Sequence, residues 1–235
     1  MYVRRTTSVV LSTLAMAVMV SSVQAQATEE NRIAADGGIH VPGWMGILSA
    51  ADMEKGEVVE NSRLSVDAGV LKVTTGPAIT YWSPENTASG NYTVKATFHE
   101  PQYMNLNSHP HPYGIVIAGN DMGTDMPSYL YCAAYGNGNF IVRGFGPEAF
   151  QVNGRRGEAH AAVDVAEGEG SPVTQEIAVA VTSTQVTCSI NGTVVGSYDK
   201  SAVVGDGMLK STDGMYGIRF AHNTEATVTG LSISH

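Results

Sequence analysis

From residue 63 onward, apolar and polar positions alternate with a period of two. Leu71 and Val73 alternate with Lys72 and Thr74, and Tyr92, Val94, Ala96 and Phe98 alternate with Thr93, Lys95, Thr97 and His99. Such alternation gives a strand one apolar and one polar face, as in an antiparallel sheet packed on one side. Further strand-like runs occupy residues 78–83, 114–118, 128–135, 140–145, 175–181, 185–190, 193–198, 217–221 and 226–233. Turn signals separate them: Gly76-Pro77, Gly136-Asn137-Gly138 and Asn191-Gly192, the last a near-ideal two-residue hairpin turn. In the final run the apolar parity slips between Val228 and Leu231, and Gly230 in the gap predicts a bulge. No long stretch shows a 3.6-residue period; residues 50–55 hold at most one helical turn. About ten to twelve short strands at regular spacing predict an all-β, two-sheet antiparallel β-sandwich, with a closed barrel as the competitor. The absence of a 40–50-residue repeat argues against a propeller.

The N-terminal residues follow a different pattern. Arg4 and Arg5 precede a 12-residue apolar stretch, and Ala25-Gln26-Ala27 offers small residues at a cleavage site. This is the pattern of a secretory signal peptide over residues 1–27, too short to span a bilayer comfortably. A periplasmic or secreted protein is expected. Residues 28–62 read as an N-terminal segment packing on the sandwich, and residues 63–235 as the sandwich itself.

Charge narrows the partners. The chain of 235 residues carries a formal net charge of −9, and loss of Arg4 and Arg5 leaves 11 basic against 22 acidic groups, net −11. A phosphate backbone needs a basic face, so nucleic acid is not an expected partner. No later stretch is long and apolar enough for a membrane span once the signal is cleaved. The two cysteines, Cys132 and Cys188, each alternate with apolar neighbours and face inward. Export permits a disulfide, and two buried thiols fit the pattern equally.

Four segments carry a resemblance. QEIAVAVTSTQVTCSINGTVVGSYD at 175–199, GMYGIRFAHNTEATVTGLSIS at 214–234, GVLKVTTGPAITYW at 69–82 and GNYTVKATFHE at 90–100 resemble strands of the concanavalin A-like lectin and glucanase superfamily. Its laminin-G-like and 3-keto-disaccharide hydrolase-type exported bacterial domains are the most similar in pattern. The resemblance spans about residues 63–234 and rests on strand order and turn chemistry. It implies a jelly-roll sandwich and a carbohydrate or small polar ligand. Catalytic glucanases of this fold carry Glu-x-Asp-x-x-Glu or Glu-x-Asp-x-Glu on a strand, which aligns the carboxylates on one face. No such run occurs here, and Glu167 and Glu169 sit among glycines in a loop.

Candidate chemistry lies in three places. His109 and His111, stiffened by Pro110 and Pro112, can present both rings on one side as sugar contacts or as Zn²⁺ or Cu²⁺ ligands, with His99 and His222 able to join; packing of the loop on its neighbours is the competing reading. Asn120, Asp121 and Asp125 supply oxygens for a possible Ca²⁺, although the same residues form ordinary turns. Tyr81, Trp82, Tyr113, Tyr131, Tyr135 and Arg143 are the remaining candidates for ligand contact. Tyr129, Tyr131 and Tyr135 share one strand face; they either line a half-wet surface or pack beneath a loop such as 146–171. The leading expectation is a glycan-binding sandwich. The alternatives are a hydrolase or lyase on a modified sugar, using His109, His111, Asp121 or Arg143, and a structural or partner-binding surface protein.

Overall fold

The computed structural model describes residues 30–235. The expected signal peptide and its cleavage site lie outside the described residues. Sixteen strands follow in chain order: β1 (Gly38–Ile39), β2 (Met45–Leu48), β3 (Arg63–Asp67), β4 (Val70–Thr74), β5 (Ile79–Ala88), β6 (Tyr92–Glu100), β7 (Tyr113–Asn120), β8 (Ser128–Ala134), β9 (Asn139–Phe145), β10 (Ala149–Gln151), β11 (Glu158–Ala159), β12 (Val173–Val181), β13 (Gln185–Ile190), β14 (Thr193–Asp199), β15 (Gly214–Phe220) and β16 (Glu225–Ser234). Among the described residues the one α-helix is the five-residue α1 (Ala50–Glu54), capped by Ser49, whose Oγ accepts from the Asp52 N–H.

Two open sheets face one another, which decides for the sandwich over the barrel. The first sheet has the order β1-β3-β4-β16-β6-β12-β13-β14 and the second β10-β9-β8-β7-β15-β5-β2, with β11 also paired to β9. Every strand pair is antiparallel except β1 with β3. The N-terminal segment supplies an edge strand to each sheet, β1 beside β3 and β2 beside β5. The segment 148–171, expected as loop, also carries β10 and β11, which fold back antiparallel onto β9.

The inward residues interdigitate into one core. From the first sheet come Val94, Ala96, Phe98, Ile177, Val179 and Val228; from the second, Ile79, Ile115, Ile117, Leu130, Val142 and Ile218. Burial in β6 alternates as the sequence pattern requires. The Asn191-Gly192 turn adopts positive φ at both residues, 49° and 77°, the requirement of a type I′ hairpin. Gly230 has φ +66°, and the β16–β6 register shifts between Thr229 and Ser232, as expected for the bulge. Cys132 on β8 and Cys188 on β13 form a disulfide with a Cα–Cα distance of 6.0 Å, within the usual range. It links the two sheets through the core and settles the question that alternation left open.

Strands β7 and β8 depart from the pattern of one wet face. Seven consecutive residues of β8 are buried. Their inward members join the main core, while Tyr129, Tyr131 and Ala133 join Val116 and Ile141 in a second cluster on the outer face.

Candidate functional site

The outer face of the second sheet is organised by register. One cross-strand row runs Met45, Trp82, Gly217, Val116, Tyr131, Arg143 and Gln151, one residue from each of seven strands. Side chains alternate along a strand, so each of these residues faces away from the core. Gly217 lets β15 approach β5 closely; a Cβ there would fall 2.1 Å from the Tyr81 carbonyl oxygen.

Arg219, two residues beyond Gly217 on β15, shares this face and is buried at 9% exposure. Its guanidinium carbon lies 4.9 Å from the Phe145 ring centroid, 5.3 Å from Tyr131 and 6.0 Å from Tyr129. Its Nη1 donates to Thr80 Oγ1 at 2.8 Å and to the Tyr129 hydroxyl at 3.2 Å. Arg143 lies over the same Phe145 ring at 5.3 Å. Phe145 in turn stacks on Tyr131, with centroids 6.1 Å apart and planes at 21°. Ion pairs among the described residues join Arg63 to Asp36, Lys72 to Asp67 and Lys210 to Asp121; among these residues no carboxylate lies within ion-pair distance of Arg143 or Arg219. Two guanidinium groups thus meet around one aromatic ring in an acidic protein, held by ring faces and hydroxyls. Burial pushes the Tyr131 phenol up against the opposing pull of Arg219 and Arg143. It pushes Tyr135 up to about 12, Tyr131 adding to the rise and Arg143 opposing it.

A second constellation lies past the start of β7. His109 and His111 each precede a proline, which holds both in extended backbone; alternate residues of an extended segment project to one side. The turn after β15 brings His222 to them, tied down by a hydrogen bond from Ala221 N–H to the Pro112 carbonyl at 2.9 Å. The His109 and His111 ring centroids are 4.3 Å apart, and those of His111 and His222 are 4.0 Å apart. His111 is buried, and its Nδ1 meets the His222 carbonyl oxygen. Burial, then His222 and His109, hold its pKa down to about 3, so the ring is neutral at ordinary pH.

The sequence candidates divide as follows. Trp82, Tyr131, Tyr135 and Arg143 belong to the outer face of the second sheet. Tyr129 and Tyr131 face outward as alternation requires and are also covered, since Phe145, Tyr135 and Met122 pack on their cluster. Tyr135 itself packs beside Gly157 of the 146–171 segment. Tyr81 and Tyr113, expected at the ligand surface, point into the core at 0% exposure. Tyr81 follows Thr80 and precedes Trp82 on one strand, so it cannot share their face. His109 and His111 form a separate group: His111 lies five residues along β7 from the Tyr131 row, about 16 Å at ordinary strand rise. Asp121 lies past the other end of β7, about 30 Å from His111 on the same basis. The four residues offered for a hydrolase or lyase therefore do not form one site.

In the 119–125 turn, Asp121 pairs with Lys210 and has φ +53°. The Asn120 amide donates to the Ala118 and Asp213 carbonyls, and Asp125 is exposed. His99 bonds Thr174 Oγ1 on the first sheet, away from the other histidines. Among the described residues, His109, His111 and His222 are the group of metal-ligating side chains whose donor atoms converge, all within 4.8 Å. Arg219 was missed in the sequence, where its signal was a single charge inside the apolar run of β15.

No protein-family profile and no curated protein matches the chain. Solved structures do. A carbohydrate-binding module, CBM66 from Bacillus subtilis, superposes with a TM-score of 0.54 at 7% identity, over 85% of this chain and 99% of that one. A protein of unknown function with a galectin-like fold from Bacillus subtilis gives 0.51 at 13% identity, over 73% and 85%. An endo-beta-1,3-glucanase from Pyrococcus furiosus gives 0.51 at 12% identity, over 79% and 85%. At these identities the likeness is one of fold, and the fold is the concanavalin A-like, galectin-like sandwich that the strand order and turns resemble.

Proposed function

We propose that this protein binds a glycan bearing an acidic group, such as a uronate or a sulfated sugar, on the outer face of its second sheet. The observation that carries the reading is Arg219: a buried guanidinium on a sheet face, boxed by three aromatic rings, with no carboxylate partner among the described residues. A buried cation without a counter-ion is costly unless something completes it. A carboxylate or sulfate suits a guanidinium fork, and the half-buried rings of Phe145 and Tyr135, lying over the buried Tyr131, supply ring area for a sugar, whereas Trp82 is buried and does not. Arg143, across the same ring, adds a second cation. The fold likeness to a carbohydrate-binding module and to a glucanase supports a sugar ligand. The signal-peptide pattern expected from the sequence over residues 1–27 and the Cys132–Cys188 disulfide support a periplasmic or secreted location.

The test is affinity electrophoresis of the purified protein in gels containing polygalacturonate, a sulfated galactan or a neutral β-glucan. Retardation by an acidic polymer that weakens with salt is expected, with loss in Arg143→Ala. Equal retardation by the neutral polymer would overturn the acidic preference, and no retardation by any of the three would overturn the glycan reading.

A further inference from the structure

We infer that His109, His111 and His222 form a binding site for a divalent transition-metal ion of the Zn²⁺ or Cu²⁺ class. The site is independent of the arginine face and does not rest on the glycan reading.

Three features carry it. First, the donors converge: one nitrogen from each ring lies within 4.8 Å of the other two, and Nε2 of His109 is 3.0 Å from Nε2 of His111. Metal–imidazole bonds of about 2.0–2.1 Å set two coordinated nitrogens about 3 Å apart. Second, the central ring is oriented: Nδ1 of His111 faces the His222 carbonyl, which can only accept, with the Asn107 amide 3.2 Å from the same nitrogen, and this turns Nε2 toward His109. A ring N–H given to a backbone carbonyl is the usual outer-shell support of a metal-bound histidine. Third, the backbone is held in place. Prolines follow His109 and His111, and the Ala221-to-Pro112 bond joins their loop to the His222 turn. That turn is anchored again at Asn223, whose side chain accepts from the Arg32 N–H and donates to the Glu30 carbonyl. Neutral imidazoles favour Zn²⁺ and Cu²⁺, whereas Ca²⁺ and Mg²⁺ require oxygen ligands.

The untagged protein, stripped with a chelator, is titrated with ZnCl₂ and CuCl₂ against a chromophoric competitor. One equivalent should bind at micromolar concentration or tighter. The exposed His109→Ala change, which leaves the core untouched, should weaken binding at least roughly tenfold; His160→Ala, outside the converging group, should not. The Cu²⁺-loaded wild-type protein should show nitrogen hyperfine structure in its electron paramagnetic resonance spectrum. Failure to take up one equivalent at 100 µM free Zn²⁺ and Cu²⁺ would overturn the site, as would His109→Ala binding as tightly as wild type.

Discussion

Replacing Arg219 with Met separates a ligand-binding arginine from a structural one. The substitution keeps a long flexible chain in place and removes the charge. On the stability side, the guanidinium gives up its bonds to Thr80 Oγ1 and the Tyr129 hydroxyl. Those two oxygens already lie 3.3 Å apart and keep each other as partners, so neither becomes a buried orphan. Three cation–π contacts at 4.9–6.0 Å are lost, each of about 0.5–1 kcal/mol. Against this, a buried charge without a carboxylate partner is removed, a term of several kcal/mol in real proteins. Arg219→Met should therefore unfold in urea at a stability within about 1 kcal/mol of wild type, or higher. On the binding side, hydrogen bonds between a charged group and its partner contribute about 1.5–3 kcal/mol. Affinity for the acidic glycan should fall by roughly 10- to 150-fold in isothermal titration calorimetry. Unchanged affinity would refute the role given to Arg219. A loss of more than about 3 kcal/mol of stability would show that the arginine is a structural strut, since removal of a buried unpaired charge cannot cost that much.

Two further outcomes follow from the core. Cys132 and Cys188 are 56 residues apart in sequence and join opposite sheets, so chain-entropy reasoning assigns their disulfide roughly 4 kcal/mol. The double Ala variant should melt roughly 8–16 °C lower; equal melting temperatures with and without reductant would remove the bridge from the account. Glu100 is buried at the end of β6, where burial raises its pKa from 4.5 to about 7, and the backbone hydrogen bond from Met104 offsets this only in part. The folded chain holds this proton more tightly than the unfolded chain. Its contribution is complete below pH 4.5 and is lost as pH rises through about 7. Glu100→Gln should flatten that decline and stabilise the protein at pH 8 by about 1–3 kcal/mol; an unchanged slope between pH 5 and 8 in urea unfolding would contradict the buried acid.

The fold was legible because its signals are local. Period-two alternation, the Asn191-Gly192 turn and the parity slip at Gly230 each act over a few residues, and the backbone obeys them wherever they fall. Alternation also placed Tyr131 and Arg143 on one face opposite Leu130 and Val142. The same rule, applied to Tyr81 and Trp82, separates the two and sends Tyr81 into the core. Tyr113 is a different case, because both faces of β7 are buried and the strand shows no polar side in the sequence.

By itself, the sequence determined the sandwich class, the strand faces and the inward direction of both cysteines, since each depends on side-chain parity or turn chemistry. Only the tertiary structure decided what those faces meet. Arg219 on β15 and Arg143 on β9 reach one ring because only two antiparallel strands, β7 and β8, separate positions that lie 76 residues apart in the chain. His222 joins His109 and His111 because the end of β15 lies beside the start of β7. Asp121 is parted from them because it lies past the other end of that same strand. Long-range pairing sets these distances, and it depends on how two whole sheets pack, which no short stretch of residues encodes.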